Sequence, residues 1–199
     1  LNKQKQFFMS LAPGQSVIIR SAKADKKALA KSAIPKVFVP LEPSEKISLT
    51  FPKQLFKSQQ LDATSYWTND SSTHDYWGKA TYAFDFYLIP EQIKACQILH
   101  LDQVRDWVRV KINGQDLGIV WSLPYQMNIP KGVLKDKNHI ELEVMNVSAN
   151  RIRKLDREKT TWKNFYEINF VDIQYKPFDA SKWEVTESGL KGELYFSNR

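Results

Sequence analysis

Hydrophobic and polar residues alternate along several short segments of the chain. In the segment ATYAFDFYLI (80–89), Tyr82, Phe84, Phe86 and Leu88 share one face, and smaller or polar residues lie between them. Successive side chains of a strand point to opposite faces, so this period of two predicts a half-buried antiparallel strand. Other segments with strand character are KISLTF (46–51), CQILHLD (96–102), WVRVKI (107–112), DLGIVW (116–121), HIELEVMN (139–146), INFVDIQY (168–175) and GELYFS (192–197).

A tight hairpin is predicted where two of these segments meet at Asn113-Gly114. Asn-Gly supplies the two residues of positive φ that a type I′ turn requires. The second strand of this hairpin runs into a Trp-Ser-Leu-Pro-Tyr corner at 121–125. The pattern therefore indicates antiparallel pairing followed by a sharp change of direction.

Helical patterns are few and short. They are confined to KKALAKSA (26–33), PEQIKA (90–95) and RIRKLDRE (151–158). Many short strands separated by Pro, Asn and Gly turns are typical of an antiparallel sandwich or barrel. We therefore expect an all-β fold.

The first 45 residues differ in composition from the rest. They contain short strand-like pieces at 16–20 and 36–39, and too little apolar content for a core of their own. We expect two units: an N-terminal strand and linker segment at 1–45, and a β-sandwich at 46–199. A chain that opens on Leu1 suggests a piece of something longer, in which 1–45 is the tail of a preceding domain.

Composition narrows the function classes. The chain is 42% hydrophobic and 13% aromatic, which favours a folded protein over a disordered one. No apolar run approaches the ~20 residues of a membrane-spanning helix. The net charge of +7 allows a nucleic-acid partner, but Asp156 and Glu158 interrupt the basic stretch at 151–163, and a solvated basic face is the simpler interpretation. The single Cys96 has apolar neighbours and suggests a buried thiol.

Several motifs, in order, resemble the jelly-roll, galactose-binding-like domain of bacterial glycoside hydrolases. The resemblance is to α-L-rhamnosidase-type enzymes of family 106 and to the sugar-binding domain of family 2 β-galactosidases. One departure is Trp77-Gly78, where relatives often carry serine and glycine. The matching segments are SYWTND (65–70), WGKATYAFDFYLIP (77–90), ILHLDQVRDWVRVKINGQDLGIVWSLPYQMNI (98–129), HIELEVMNVSANRI (139–152) and WKNFYEINFVDIQYKPFDASKWEVTESGLKGELYF (162–196).

The resemblance implies an antiparallel jelly-roll sandwich with a short N-terminal appendage. It also implies an accessory domain that supports catalysis without performing it, since the catalytic carboxylates of such enzymes lie in a separate barrel domain. The expected partners are carbohydrate or the catalytic domain of the same longer protein, without nucleic acid, in a periplasmic or secreted location. An autonomous carbohydrate-binding module is the alternative, and a basic protein- or nucleic-acid-interaction domain is a third.

A carbohydrate-binding face needs exposed aromatic rings beside planar polar groups. The candidates, each from a loop or strand end on the resemblance-based layout, are Trp121, Tyr125, Asn150, Arg151, Trp162 and Tyr166. The alternative is structural: the two aromatic residues of the corner cover the core, and the Asn-Arg pair anchors loops. No catalytic residue and no cofactor is expected. The resemblance adds a structural calcium ion as a candidate, which no linear pattern can test.

Overall fold

The computed structural model describes residues 11, 16–18, 37–165 and 171–198. Within these residues the chain forms ten strands and two short α-helices, α1 (Pro90–Ala95) and α2 (Ala149–Arg157). The strands are β1 (Phe38–Pro40), β2 (Ile47–Thr50), β3 (Gln59–Leu61), β4 (Lys79–Tyr87), β5 (Ile98–Arg105), β6 (Trp107–Ile112), β7 (Gln115–Val120), β8 (Gln126–Asn128), β9 (Lys137–Met145) and β10 (Gly189–Ser197).

The strands form two sheets in which every pairing is antiparallel. The larger sheet has the order β3-β2-β4-β9-β6-β7, and the smaller has the order β1-β10-β5-β8. The expected all-β antiparallel sandwich is confirmed. Consecutive strands lie in different sheets at several points, so the chain crosses repeatedly from one sheet to the other.

The core lies between the two sheets and is built from the alternating positions. Tyr82, Phe84 and Phe86 of β4 are buried, while the residues between them are partly exposed. Phe86 also contacts Phe196 of the smaller sheet, with ring centroids 5.9 Å apart. Burying such side chains stabilises the fold by roughly 1.5–3 kcal/mol each.

The predicted hairpin turn is present between β6 and β7. Asn113 has φ of 53° and Gly114 has φ of 79°, the positive values that a type I′ turn requires. The Asn113 side chain extends its role beyond the turn: its Nδ2 donates to the Asn138 side chain at 2.9 Å, and its Oδ1 accepts from the His139 backbone at 2.9 Å. The turn is thereby fixed to the start of β9.

Two predicted elements differ from the structure. The strand expected at 168–175 is absent from its described part, where residues 171–177 form a hairpin closed by a bridge between Val171 and Pro177. The helix expected at 151–158 begins at Ala149, which places Asn150 inside its first turn.

The N-terminal segment is described only in part. The helix considered at 26–33 lies outside the described residues, as do 19–20 of the strand considered at 16–20. Residues 38–40, within the expected 1–45 unit, form β1 and pair with β10. This part of the segment joins the sandwich.

Candidate functional site

Trp121 and Tyr125 flank the corner where the chain leaves the larger sheet after β7 and enters the smaller sheet at β8. Trp121 is 73% exposed, whereas Tyr125 is partly buried and packs against the core. The Tyr125 carbonyl accepts from the Leu101 backbone at 3.0 Å, which ties the corner to β5. The structure therefore leaves the indole ring available to a ligand and gives Tyr125 a mainly structural position.

Asn150 is enclosed rather than presented. Its side chain is 1% exposed, its Nδ2 donates to the Thr186 carbonyl at 2.8 Å, and its Oδ1 accepts from the Thr186 backbone N–H at 2.8 Å. Neighbouring Ser188 is also buried and lies between Asn150 and Asn146. These bonds attach the start of α2 to the segment that leads into β10.

Arg151, the next residue, points to the surface and stacks on Trp77. The guanidinium carbon lies 3.9 Å from the centre of the Trp77 ring, which is 40% exposed. A guanidinium held over an exposed indole in this way makes a cation–π contact. The contact places the positive charge of Arg151 beside the exposed ring of Trp77.

Trp162 belongs to a cluster around Asp156, at the end of α2. Its Nε1 donates to Asp156 Oδ1 at 2.7 Å, Lys163 Nζ lies 3.2 Å from the same oxygen, and the Ala180 backbone donates to Oδ2 at 2.8 Å. Burial alone would raise the pKa of Asp156, but these hydrogen bonds outweigh it and lower the pKa below its ordinary value. The cluster holds the segment at 178–181 against α2. Tyr166, the remaining candidate, lies outside the described residues.

Trp77, Trp121 and the start of α2 lie at one end of the larger sheet without forming one site. The strand register places the start of β4, the end of β9, the start of β6 and the end of β7 at this end. Trp121 follows β7 and Trp77 precedes β4, three strand spacings or ~14 Å away. In the described part of the chain, no three His, Cys, Asp or Glu side chains form a metal-ligand group. The calcium ion thus remains an expectation from the resemblance.

The outward face of the smaller sheet carries a second set of polar and aromatic residues, which sequence reasoning missed. Tyr195 of β10 stacks on His100 of β5, with ring centroids 4.4 Å apart and an interplanar angle of 8°. His100 Nε2 lies 2.8 Å from Ser197 Oγ, and both residues are buried. The strand alternation in the sequence could have indicated this set, because His100 and Tyr195 occupy the outward positions of their strands.

Beside this stack lies a trough of about 470 Å³ that crosses β5. Its polar lining includes Asp102, Gln126 and Glu193. A second cleft of about 630 Å³ lies across Tyr195, towards β1. Asp102 and Glu193 are exposed, so this pair lacks the apolar enclosure with which glycosidases keep one carboxyl group protonated.

Parts of several solved glycoside hydrolases have a fold similar to that of this chain. The structure is similar to a rhamnosidase from Novosphingobium sp. PP1Y, with a TM-score of 0.65 and 23% identity, over 87% of this chain and 16% of the rhamnosidase. It is also similar to a GH2 β-galacturonidase from Eisenbergiella tayi, with a TM-score of 0.50 and 13% identity, over 83% of this chain and 25% of that one.

A β-glucuronidase from Bifidobacterium dentium gives a TM-score of 0.50 at 17% identity, over 84% of this chain and 31% of the enzyme. The chain therefore spans under a third of each of these three structures. No protein-family model matches the chain, and no curated protein matches it. The likeness thus establishes the fold. Within the described residues, no helix is long and apolar enough to cross a membrane.

Proposed function

We propose that this chain is a non-catalytic β-sandwich domain of a glycoside hydrolase of the α-L-rhamnosidase or β-galactosidase type. Its role is to support the catalytic domain and to contact carbohydrate beside it. The observation that carries the proposal is the coverage: 87% of this chain matches only 16% of a rhamnosidase. The proposal includes a periplasmic or secreted location, which rests on the family resemblance alone.

Exposed apolar side chains on a well-defined hairpin support a docking role. Ile173 and Tyr175 are 95% and 76% exposed at its tip. Asp172 fixes the tip, because its Oδ1 accepts from the backbone N–H groups of Gln174 at 2.7 Å and Lys176 at 3.0 Å. A fixed loop loses little conformational entropy when a neighbouring domain covers it.

The proposal is tested on the native protein that contains these residues. An antibody raised against the folded chain is used to capture the protein from its source cells, and the captured material is assayed for mass and for hydrolysis of aryl glycosides. We expect a polypeptide several times longer than 199 residues that has glycosidase activity, whereas the isolated chain has none. A captured polypeptide of this length without associated glycosidase, or hydrolysis by the isolated chain, would contradict the proposal.

The docking role has a test of its own in the longer enzyme. Ile173→Ser combined with Tyr175→Ser is expected to lower its melting temperature, because apolar area buried between domains is lost. Tyr87→Ser is the matched control, since Tyr87 is exposed on β4 outside the hairpin. Equal effects of the two changes would argue against a docked hairpin.

An autonomous carbohydrate-binding module is the second candidate, and the exposed indole of Trp121 favours it. Under this alternative the isolated chain binds oligosaccharides, and Trp121→Ala weakens binding while the fold is kept. Retention of full affinity by this variant would remove the observation on which the alternative depends.

A further inference from the structure

The trough on the smaller sheet has the dimensions and walls of a ligand site. The corner at 123–126 forms one wall, Gly192, Glu193 and Tyr195 of β10 form the other, and Asp102 of β5 lies between them. Its volume of about 470 Å³ falls within the ~300–1,000 Å³ of small-molecule sites. Both walls belong to hydrogen-bonded strands or their immediate continuation, so the trough is part of the folded framework.

The charge of the trough is opposite to that of the chain. The chain has a formal net charge of +7, yet the described residues that line the trough include Asp102 and Glu193 and no Lys or Arg. The adjoining cleft across Tyr195 is also lined by carboxylates, Glu42 and Asp62 among them, although Asp62 is paired with Lys46 at 3.3 Å. An anionic ligand would meet repulsion here, whereas a neutral one would not.

The polar groups of the trough have unused hydrogen-bonding capacity. Among the described residues, the side chains of Asp102, Gln126 and Glu193 make no hydrogen bond or ion pair with one another or with other side chains or backbone groups. Asn150 and Asp156 are different, since their polar atoms are occupied by backbone and side-chain partners. Two carboxylates and one amide that face the same trough provide acceptors and donors for a ligand's hydroxyl groups.

A glycine leaves room for the Asp102 carboxylate. Gly192 has φ of 93° in the irregular part of β10 between Lys191 and Leu194, and a Cβ atom there would collide with the Asp102 carboxylate. Thr64 Oγ1 donates to the Gly192 carbonyl at 2.6 Å and holds this backbone. The carboxylate therefore packs directly on the backbone of the opposite wall.

The trough also offers rigid apolar surface. The stack of Tyr195 on His100, and the contact of His100 with Ser197, restrain the Tyr195 ring. Pro124 and Tyr125 lie on the opposite wall. A sugar ring combines hydroxyl groups at its edge with C–H groups on its faces, and it matches a trough that has polar groups between apolar walls.

We propose that this trough binds a neutral, hydroxyl-rich sugar ring. Asp102, Gln126 and Glu193 hydrogen-bond its hydroxyl groups, and the walls at Tyr195 and Pro124 contact its C–H groups. The inference rests on the proposed contact with carbohydrate and adds a place and a ligand class. It separates the chain from a uronic-acid binder, because no Lys or Arg lines the trough in the described part of the chain.

The test is an NMR titration of the ¹⁵N-labelled 199-residue chain. Methyl β-galactoside and methyl β-galacturonide are the central probes, since their rings differ only in the charged group at C6. Methyl glycosides of other neutral hexoses and of rhamnose, and glucosamine as a cation, complete the panel. We expect a neutral glycoside to shift the amides of 100–103, 124–127 and 192–195, and the uronides to bind more weakly.

Variants locate the site. Asp102→Ala is expected to weaken binding of the neutral sugar about tenfold or more, because a charge-assisted hydrogen bond is lost. Gln126→Ala should also weaken it. The control Glu141→Gln changes a carboxylate on the outward face of the larger sheet and should leave affinity unchanged.

Four results would overturn the inference. The first is that no neutral sugar shifts the trough amides at its solubility limit, and the second is that uronides bind equally well or more tightly. The third is that only glucosamine binds, and the fourth is that Asp102→Ala keeps full affinity. None of them changes the mass or the glycosidase activity of the captured native protein. Failure of the trough is therefore distinguishable from failure of the accessory role.

Discussion

At the scale of single residues, His100 shows how an outward position on a sheet can still be buried. Burial lowers the pKa of His100 below its ordinary value of 6.5. Above that pH the imidazole is neutral in both the folded and the unfolded chain. Below it the unfolded chain takes up a proton first, so the free energy of unfolding falls as the pH falls through 6.5 towards the lower folded pKa.

We predict that the wild-type chain loses stability between pH 7 and pH 5, by at most about 1.4 kcal/mol per pH unit for this one proton. His100→Phe removes the titration and should flatten this part of the profile, measured by urea unfolding at several pH values. His139→Gln is the control, since His139 is an exposed residue bonded to Asp85. An unchanged slope in His100→Phe would show that another group causes the loss.

Residue roles were the least predictable part of the sequence. The sequence pointed to the Asn-Arg pair at 150–151 as a candidate, but it did not indicate which residues surround the two side chains. The helix begins two residues earlier than its pattern indicated, and this turns Asn150 inward against Thr186. Trp162 likewise finds Asp156, a partner that an aromatic pattern cannot specify.

At the scale of elements, α2 serves as an anchor for the segment that leads into β10. Arg153 Nη1 donates to Asp75 Oδ1 at 2.8 Å, and its Nε donates to the Trp183 carbonyl at 2.7 Å. Both charged side chains are mostly buried, at 13% and 20% exposure. One guanidinium thus joins the helix to two loops that are far apart in sequence.

We predict that Arg153→Ala lowers the free energy of unfolding by about 2 kcal/mol, because a charged hydrogen bond contributes ~1.5–3 kcal/mol. It should also increase protease cleavage within 171–187. Arg157→Ala, an exposed position on the same helix, should change stability by less than ~0.5 kcal/mol. Equal results for the two variants, by urea unfolding and limited proteolysis, would contradict the anchoring role.

Strands were predictable as elements because their alternation is local. The segment WVRVKI was predicted at the bounds that β6 has, and β4 and β9 differ from prediction by a few residues at their ends. The exception at 168–175 is instructive. Ile173 and Tyr175 follow the same alternation but lie exposed at the tip of a hairpin. The pattern cannot distinguish this case from a buried strand, because it does not reveal whether a second sheet covers the apolar side chains.

At the scale of the whole molecule, the sandwich followed from the sequence and the trough did not. Two apolar sheet faces have few ways to exclude water other than by packing together. The trough depends on the positions of β5, β10 and the corner before β8, which are distant in sequence. No local sequence pattern predicts the contact between Asp102 and Gly192.

The contact that joins the two sheets gives the last prediction. Phe86 of the larger sheet and Phe196 of the smaller are both fully buried, and their rings are in contact. We expect Phe86→Leu and Phe196→Leu each to destabilise the chain, and their combination to deviate from additivity by about 0.5 kcal/mol or more, the order of magnitude for residues in contact.

Val108→Ala is the control partner for Phe86. The strand register places Val108 two strands away and near the opposite end of the sheet, on the order of 20 Å from Phe86. Urea unfolding of the two double-mutant cycles should show coupling for Phe86 with Phe196 and additivity for Phe86 with Val108. Additivity in both cycles would mean that the sheets are held together by burial alone, without a specific contribution from this pair.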